Sequence, residues 1–183
     1  MRIAIYAQAR SGSTALYNYI KDSLNLKGIL EPYNPKFLNR FSEKEIWEDK
    51  NTVVKFLIRD ADIVKKIPEK FDKVIYLTRD NDLEGAESLM YATKNDIWHE
   101  SYTYTLSNKK SKLSLKQLIN SRSIQKNYIK SQKGFQICYE DIFYDTVGIP
   151  KINNYININT DEFLYYLDIK NKYRKDKTNR NLI

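Results

Sequence analysis

The chain has 183 residues, with 31 Lys and Arg against 23 Asp and Glu for a formal net charge of +8, and only one Cys, one His and 5 Gly. That length supports a hydrophobic core without staples and is read as one domain over 1–183, with a basic tail at 170–183. The lone Cys excludes an intrachain disulfide, which fits a reducing compartment, and no apolar run approaches membrane-spanning length.

The first element is a strand pattern over 2–8, Arg2-Ile-Ala-Ile-Tyr-Ala-Gln8. Its start at residue 2 leaves no room for a signal peptide, so a soluble, cytoplasmic protein is expected. The turn Ala9-Arg-Ser-Gly-Ser-Thr-Ala-Leu16 follows, and Leu16, Tyr17, Tyr19, Ile20 and Leu24 give helical spacing over 13–25. A strand that turns directly into a helix leaves backbone N–H groups without partners at the positive end of the helix dipole. Such a spot favours an anion. Arg10 adds a full charge, Gly12 permits close approach of backbone, and Ser11, Ser13 and Thr14 add hydroxyl donors. Ser11-Gly12-Ser13-Thr14 also reads simply as a helix cap, and the turn alone does not decide between the two. It matches neither GxxxxGK with Ser or Thr nor GxGxxG.

A strand is predicted over 28–31, a short helix near 43–49, a strand over 53–58 carrying Lys55, and a helix over 60–67. Then comes the strand 73–78, Lys73-Val-Ile-Tyr-Leu-Thr78, which runs into Arg79-Asp80 and a helix over 82–94 with acidic residues at its start. Ser88 lies within that helix. The segment 95–111 holds Trp98, Tyr102 and Tyr104, and either lines an acceptor pocket or packs as a satellite core. A helix over 114–131, a strand over 135–139 and helices near 141–147 and 160–170 complete the chain. Strands alternating with helices imply an α/β fold, a parallel sheet covered on both faces. In such a sheet the carboxyl ends of neighbouring strands share a crevice, so Arg10 and Arg79 are placed to address two anionic groups of one ligand.

These segments resemble the PAPS-dependent sulfotransferases, which use 3′-phosphoadenosine 5′-phosphosulfate; the chain would be a short, minimal member. Ala9 to Leu16 is similar to their 5′-phosphosulfate loop, and Val74-Ile-Tyr-Leu-Thr-Arg79 through Ser88 to their 3′-phosphate strand and helix. Phe135-Gln-Ile-Cys-Tyr-Glu-Asp-Ile142 is similar to a late strand ending in Tyr-Glu-Asp-Leu. The resemblance spans positions 2 to about 145 and implies a P-loop-like three-layer αβα fold. It implies that Arg10, Ser11, Gly12, Ser13 and Thr14 hold the 5′-phosphosulfate, that Arg79 and Ser88 grip the 3′-phosphate, and that Lys55 reaches the transferring oxygens. Arg174 and Lys175, in the basic tail, match loosely a late loop that folds over the 3′-phosphate; a frayed end reads equally well.

The chain departs from the family where many cytosolic members carry a histidine base. Val53-Val-Lys-Phe-Leu57 has Leu57 at that position. Glu31, in Gly28-Ile-Leu-Glu-Pro-Tyr-Asn34, is the first candidate base, against the reading of a surface Glu before a turn. His99, beside Trp98, is the second, against a structural role. No cluster has metal-ligand spacing, so no metal is expected, and Cys138 reads as a small buried residue. The acceptor would bear a hydroxyl on a carbohydrate, lipid, phenol or tyrosine. Scattered basic residues give no nucleic-acid stripe, so nucleic acid is not expected as a partner. Two other classes remain at this stage: a nucleotide kinase-like enzyme, and a non-catalytic basic module on a sulfotransferase scaffold.

Overall fold

The structure, a computed structural model, describes residues 1–34, 40–58, 68–95, 113–145 and 147–158. In chain order these form β1 (Arg2–Ala7), α1 (Ser13–Ser23), β2 (Lys27–Leu30), α2 (Glu43–Trp47), β3 (Thr52–Leu57) and, after a 3-10 turn at Pro68–Lys70, β4 (Lys73–Thr78). α3 (Asp82–Asn95), α4 (Leu115–Lys130), β5 (Phe135–Cys138), α5 (Tyr139–Phe143) and α6 (Gly148–Ile156) follow. The strands make one sheet in the order β2-β3-β1-β4-β5, and every pairing is parallel. The expected helices over 60–67 and 160–170, and nearly all of the aromatic segment at 95–111, lie outside the described residues.

A parallel sheet buries both faces, which is why β1 and β4 read as near-continuous apolar runs. The alternation of side chains sorts them into two cores. Ile3, Ile5 and Ala7 pack with Leu16 and Ile20 of α1 and with Ile149, Ile152 and Ile156 of α6. Ala4 and Tyr6 pack on the other face with Val54, Phe56, Ile46 of α2 and Ile129 of α4. Helices on both faces make this a three-layer αβα molecule. Each fully buried Ile or Leu of these cores contributes about 1.5–3 kcal/mol. Across the second face runs a row of rings: Tyr76 to Tyr6 at 5.5 Å, Tyr6 to Phe56 at 5.0 Å, and Phe56 to Trp47 at 5.8 Å. Tyr33 joins it over Phe56 at 6.3 Å. Parallel register makes the row, since Tyr6 stands opposite both Phe56 and Tyr76.

The third helix of the late region differs from expectation. β5 passes straight into α5 at Tyr139, and α6 occupies Gly148–Ile156, between the helices expected near 141–147 and 160–170. Gly148 and Pro150 read as breakers, yet Pro in a first turn lacks only an N–H that the helix does not use there. The legible signal is Ile149, Ile152 and Ile156, one apolar stripe that the helix buries. No helix among the described residues is long and apolar enough to cross a membrane.

The sheet order also fixes where a ligand would sit. From β1 the chain leaves to the α1 face, whereas from β4 it leads through α3 to α4 on the opposite face. β1 and β4 are neighbours, so a crevice opens between their carboxyl ends. β3 flanks β1 on the other side and brings Lys55 alongside.

Candidate functional site

The β1–α1 turn is shaped by two left-handed residues, Arg10 at φ 63° and Gly12 at φ 73°. Gly12 caps α1 and offers no side-chain oxygen to the first turn. The first amide to find a partner is that of Ala15, which donates to the Gly12 carbonyl at 2.9 Å. Among the described residues, the amides of Ser11, Gly12, Ser13 and Thr14 have none. A left-handed residue followed by helix turns successive N–H groups inward, the geometry of an anion nest. Glycine is required at position 12 on two counts. Its φ strains any other residue, and a Cβ there would lie 2.4 Å from Cε2 of Phe143.

On the β3 side, Lys55 and Glu31 form an ion pair at 2.7 Å with side chains 2% and 6% exposed. Lys55 Nζ also donates to Thr14 Oγ1 at 2.8 Å, tying the pair to the first turn of α1. Glu31 follows the end of β2 in left-handed backbone at φ 46°. Its amide donates to the Lys55 carbonyl at 2.8 Å, and its second oxygen accepts from Asn34 Nδ2 at 2.7 Å. The alternative reading of Glu31, a surface Glu before a turn, gives way to a buried, paired carboxylate.

On the β4 side, Arg10 Nε donates to Ser88 Oγ at 3.0 Å. Arg79 NH1 donates to the Arg10 carbonyl at 3.2 Å, and its NH2 meets Glu84 Oε2 at 2.5 Å. The Arg79 guanidinium lies 4.4 Å from the centre of the Tyr139 ring, and its Nε is buried without a partner among the described residues. Arg10, Arg79 and Ser88 thus come together, with Ser88 on Arg10 and Glu84 on Arg79.

The start of α3 differs from that of α1 in a way that decides which of them has room for an anion. Glu140 accepts from the Asp80 amide at 2.9 Å and from the Asn81 amide at 3.1 Å, and Asn81 Oδ1 accepts from the Glu84 amide at 3.1 Å. α3 is capped from within, while α1 is left open. Asp80, Cys138 and Glu140 offer ligand atoms within 4.8 Å of one another. The Glu140 oxygens are already engaged as caps. Burial pushes the Cys138 thiol up to about 11, so it stays protonated at neutral pH, and Cys138 accepts from the Asp141 amide at 3.5 Å as the cap of α5.

Ser11 Oγ donates to the Gln8 carbonyl at 2.7 Å, so its proton serves the turn itself, and Ser13 is buried. His99, Arg174 and Lys175 lie outside the described residues. Four participants escape the sequence reading: Gln8, Glu84, Arg122 and Glu140. Gln8 Oε1 accepts from the Arg79 amide at 3.0 Å and its Nε2 donates to the Arg122 carbonyl at 2.7 Å, joining β1, β4 and α4. Arg122 had a signal: it shares the buried stripe of α4 with Leu118 and Ile129, where a charge is out of place. No protein-family model matches the chain, and no curated protein matches it in sequence. Function is therefore read from the chemistry of the site.

Proposed function

We propose that this chain is a PAPS-dependent sulfotransferase, moving a sulfuryl group to an acceptor hydroxyl without a metal. The observation that carries the reading is the open α1 start, set between Lys55–Glu31 and Arg10–Arg79–Ser88 at the carboxyl ends of three adjacent parallel strands. A nucleotide with an anionic group at each end calls for two such cationic flanks. The amides of residues 11–14 and the Arg79 Nε, which have no partner among the described residues, fit it. Glu84 stands on the outer edge of Arg79, but its side chain is 45% exposed and has room to swing into solvent.

When bound, the donor supplies a sulfuryl group whose bond to the bridging oxygen breaks as the acceptor oxygen bonds to sulfur. The amides of 11–14 and Arg10 hold the 5′ end, and Arg79 and Ser88 hold the 3′-phosphate. Arg174 and Lys175 would close over that phosphate. Lys55 turns from Glu31 toward negative charge growing on the transferring oxygens. Losing its cation makes Glu31 more basic just when the acceptor proton must be taken. His99 is the second candidate base. The acceptor is a carbohydrate, lipid, phenol or tyrosine hydroxyl.

One observation favours a second reading, a basic binding module on the same scaffold: a guanidinium already neutralised by Glu84 needs no phosphate. Calorimetric titration with 3′-phosphoadenosine 5′-phosphate, with AMP and ATP as controls, separates the two. The enzyme reading expects tight binding of the bisphosphate alone, lost in Arg79→Ala. Equal binding of all three nucleotides, or of none, rejects it, and salt-dependent nucleic-acid binding would then favour the module.

A further inference from the structure

We infer that Arg122 is a positioning residue that orients the anion turn from behind, an inference that rests on reading that turn as an anion site. Its side chain is 2% exposed. NH1 donates to the Ala9 carbonyl at 2.5 Å. Arg79 makes the matching bond to the next carbonyl, that of Arg10, at 3.2 Å. A trans peptide is planar, with its N–H opposite its C=O. Two guanidiniums that draw the carbonyls of residues 9 and 10 to one set of partners therefore fix where the amides of Arg10 and Ser11 point.

Arg122 is seated at a cost that packing alone does not explain. Its Nε and NH2 are buried with no hydrogen-bond partner among the described residues. The nearest carboxylate oxygen, Asp82 Oδ1, stands 3.9 Å from Nε and has no hydrogen-bond partner among the described residues, while the other oxygen of Asp82 takes Lys126 Nζ at 2.7 Å. A buried charge so poorly satisfied is replaced by an apolar side chain of similar volume with little loss or a gain in stability. A glycine makes the seat. A Cβ at Gly85, inside α3, would lie 2.3 Å from the Arg122 guanidinium carbon. Glycine inside a helix is destabilising in its own right, so both residues spend stability to place one guanidinium on the turn.

The test is sulfate titration at constant ionic strength, followed by the amide resonances of residues 11–14, and the same titration with 3′-phosphoadenosine 5′-phosphate. Arg122→Met is expected to melt at or above the wild-type temperature yet bind both probes about tenfold or more weakly, with Arg122→Lys partly restoring binding. Gly85→Ala, which displaces the guanidinium and keeps its charge, is expected to weaken binding likewise, and it decides the matter if Arg122→Met fails to fold. Wild-type affinity in folded Arg122→Met, or in Gly85→Ala where the former does not fold, overturns the inference alone. No response of the wild-type amides to either probe overturns the anion reading and this inference with it. A response to sulfate only, weakened in the variants, supports the inference and removes the sulfotransferase donor.

Discussion

Lys55 and Glu31 hold each other inside the protein as a buried ion pair. Substituting Lys55→Met removes the cation from a buried carboxylate that Asn34 also bonds. Urea unfolding is expected to show a loss of about 3–5 kcal/mol. Adding Glu31→Gln to Lys55→Met should recover most of it, and additive losses would show that the pair is not coupled. Glu31→Gln alone is expected to leave bisphosphate affinity intact and lower kcat by roughly 10²–10⁴-fold. An unchanged kcat would move the base to His99. Lys55 was legible as a charge in an apolar strand, and Gly12 as the one glycine of a polar turn. Arg79 was legible at a strand end, but its engagement by Glu84 was not, because nothing in the spacing distinguishes a carboxylate that returns to cap an arginine from one that faces water.

The elements were easier to read than their ends. β1, α1, β3 and β4 announce themselves through strand-forming runs and an apolar helical stripe, and the structure places each within about two residues of expectation, a normal margin for helix and strand ends. α6 was hidden because Gly148 and Pro150 carry turn signals that burial of its isoleucine stripe overrides. α2 shows how little chain an element needs when its start is well made. Ser42 Oγ accepts from the Glu45 amide at 3.2 Å, and Glu45 returns to the Ser42 amide at 2.8 Å, a complete capping box. These bonds, with Lys27, hold the Glu45 carboxyl at about 2, below the ordinary value of about 4.3. A carboxyl depressed on folding contributes stability that is present above the unfolded value and lost as pH falls through the folded one. Stability is therefore expected to decline between about pH 4 and 2 in part through Glu45. Glu45→Gln should flatten that part of the profile in acid titrations of the unfolding midpoint, and an unaltered profile would exclude Glu45 as a contributor.

At the level of the molecule, five parallel strands in the order β2-β3-β1-β4-β5 put the first signal in the sequence, the Arg10–Thr14 turn, at the centre of the sheet. Strand and helix alternation made a parallel sheet legible, but strand order is a property of which faces the crossings take, and no single segment carries it. Hydrogen exchange is expected to leave β1 protected longest, since it is paired on both sides and its interior residues are fully buried, with β2 and β5 at the edges exchanging sooner. Faster exchange in β1 than at either edge would contradict this account of the core. The ring row on the second face has a use beyond packing. Trp47 stacks on Phe56 beside Tyr33, and Tyr33 belongs to the same turn as Glu31 and Asn34, whose amide donates to the Glu31 carbonyl at 2.9 Å. With Trp98 replaced by Phe, the indole of Trp47 becomes an internal optical gauge. Its emission would register any shift of that turn when a ligand draws Lys55 away, with no label attached to the chain.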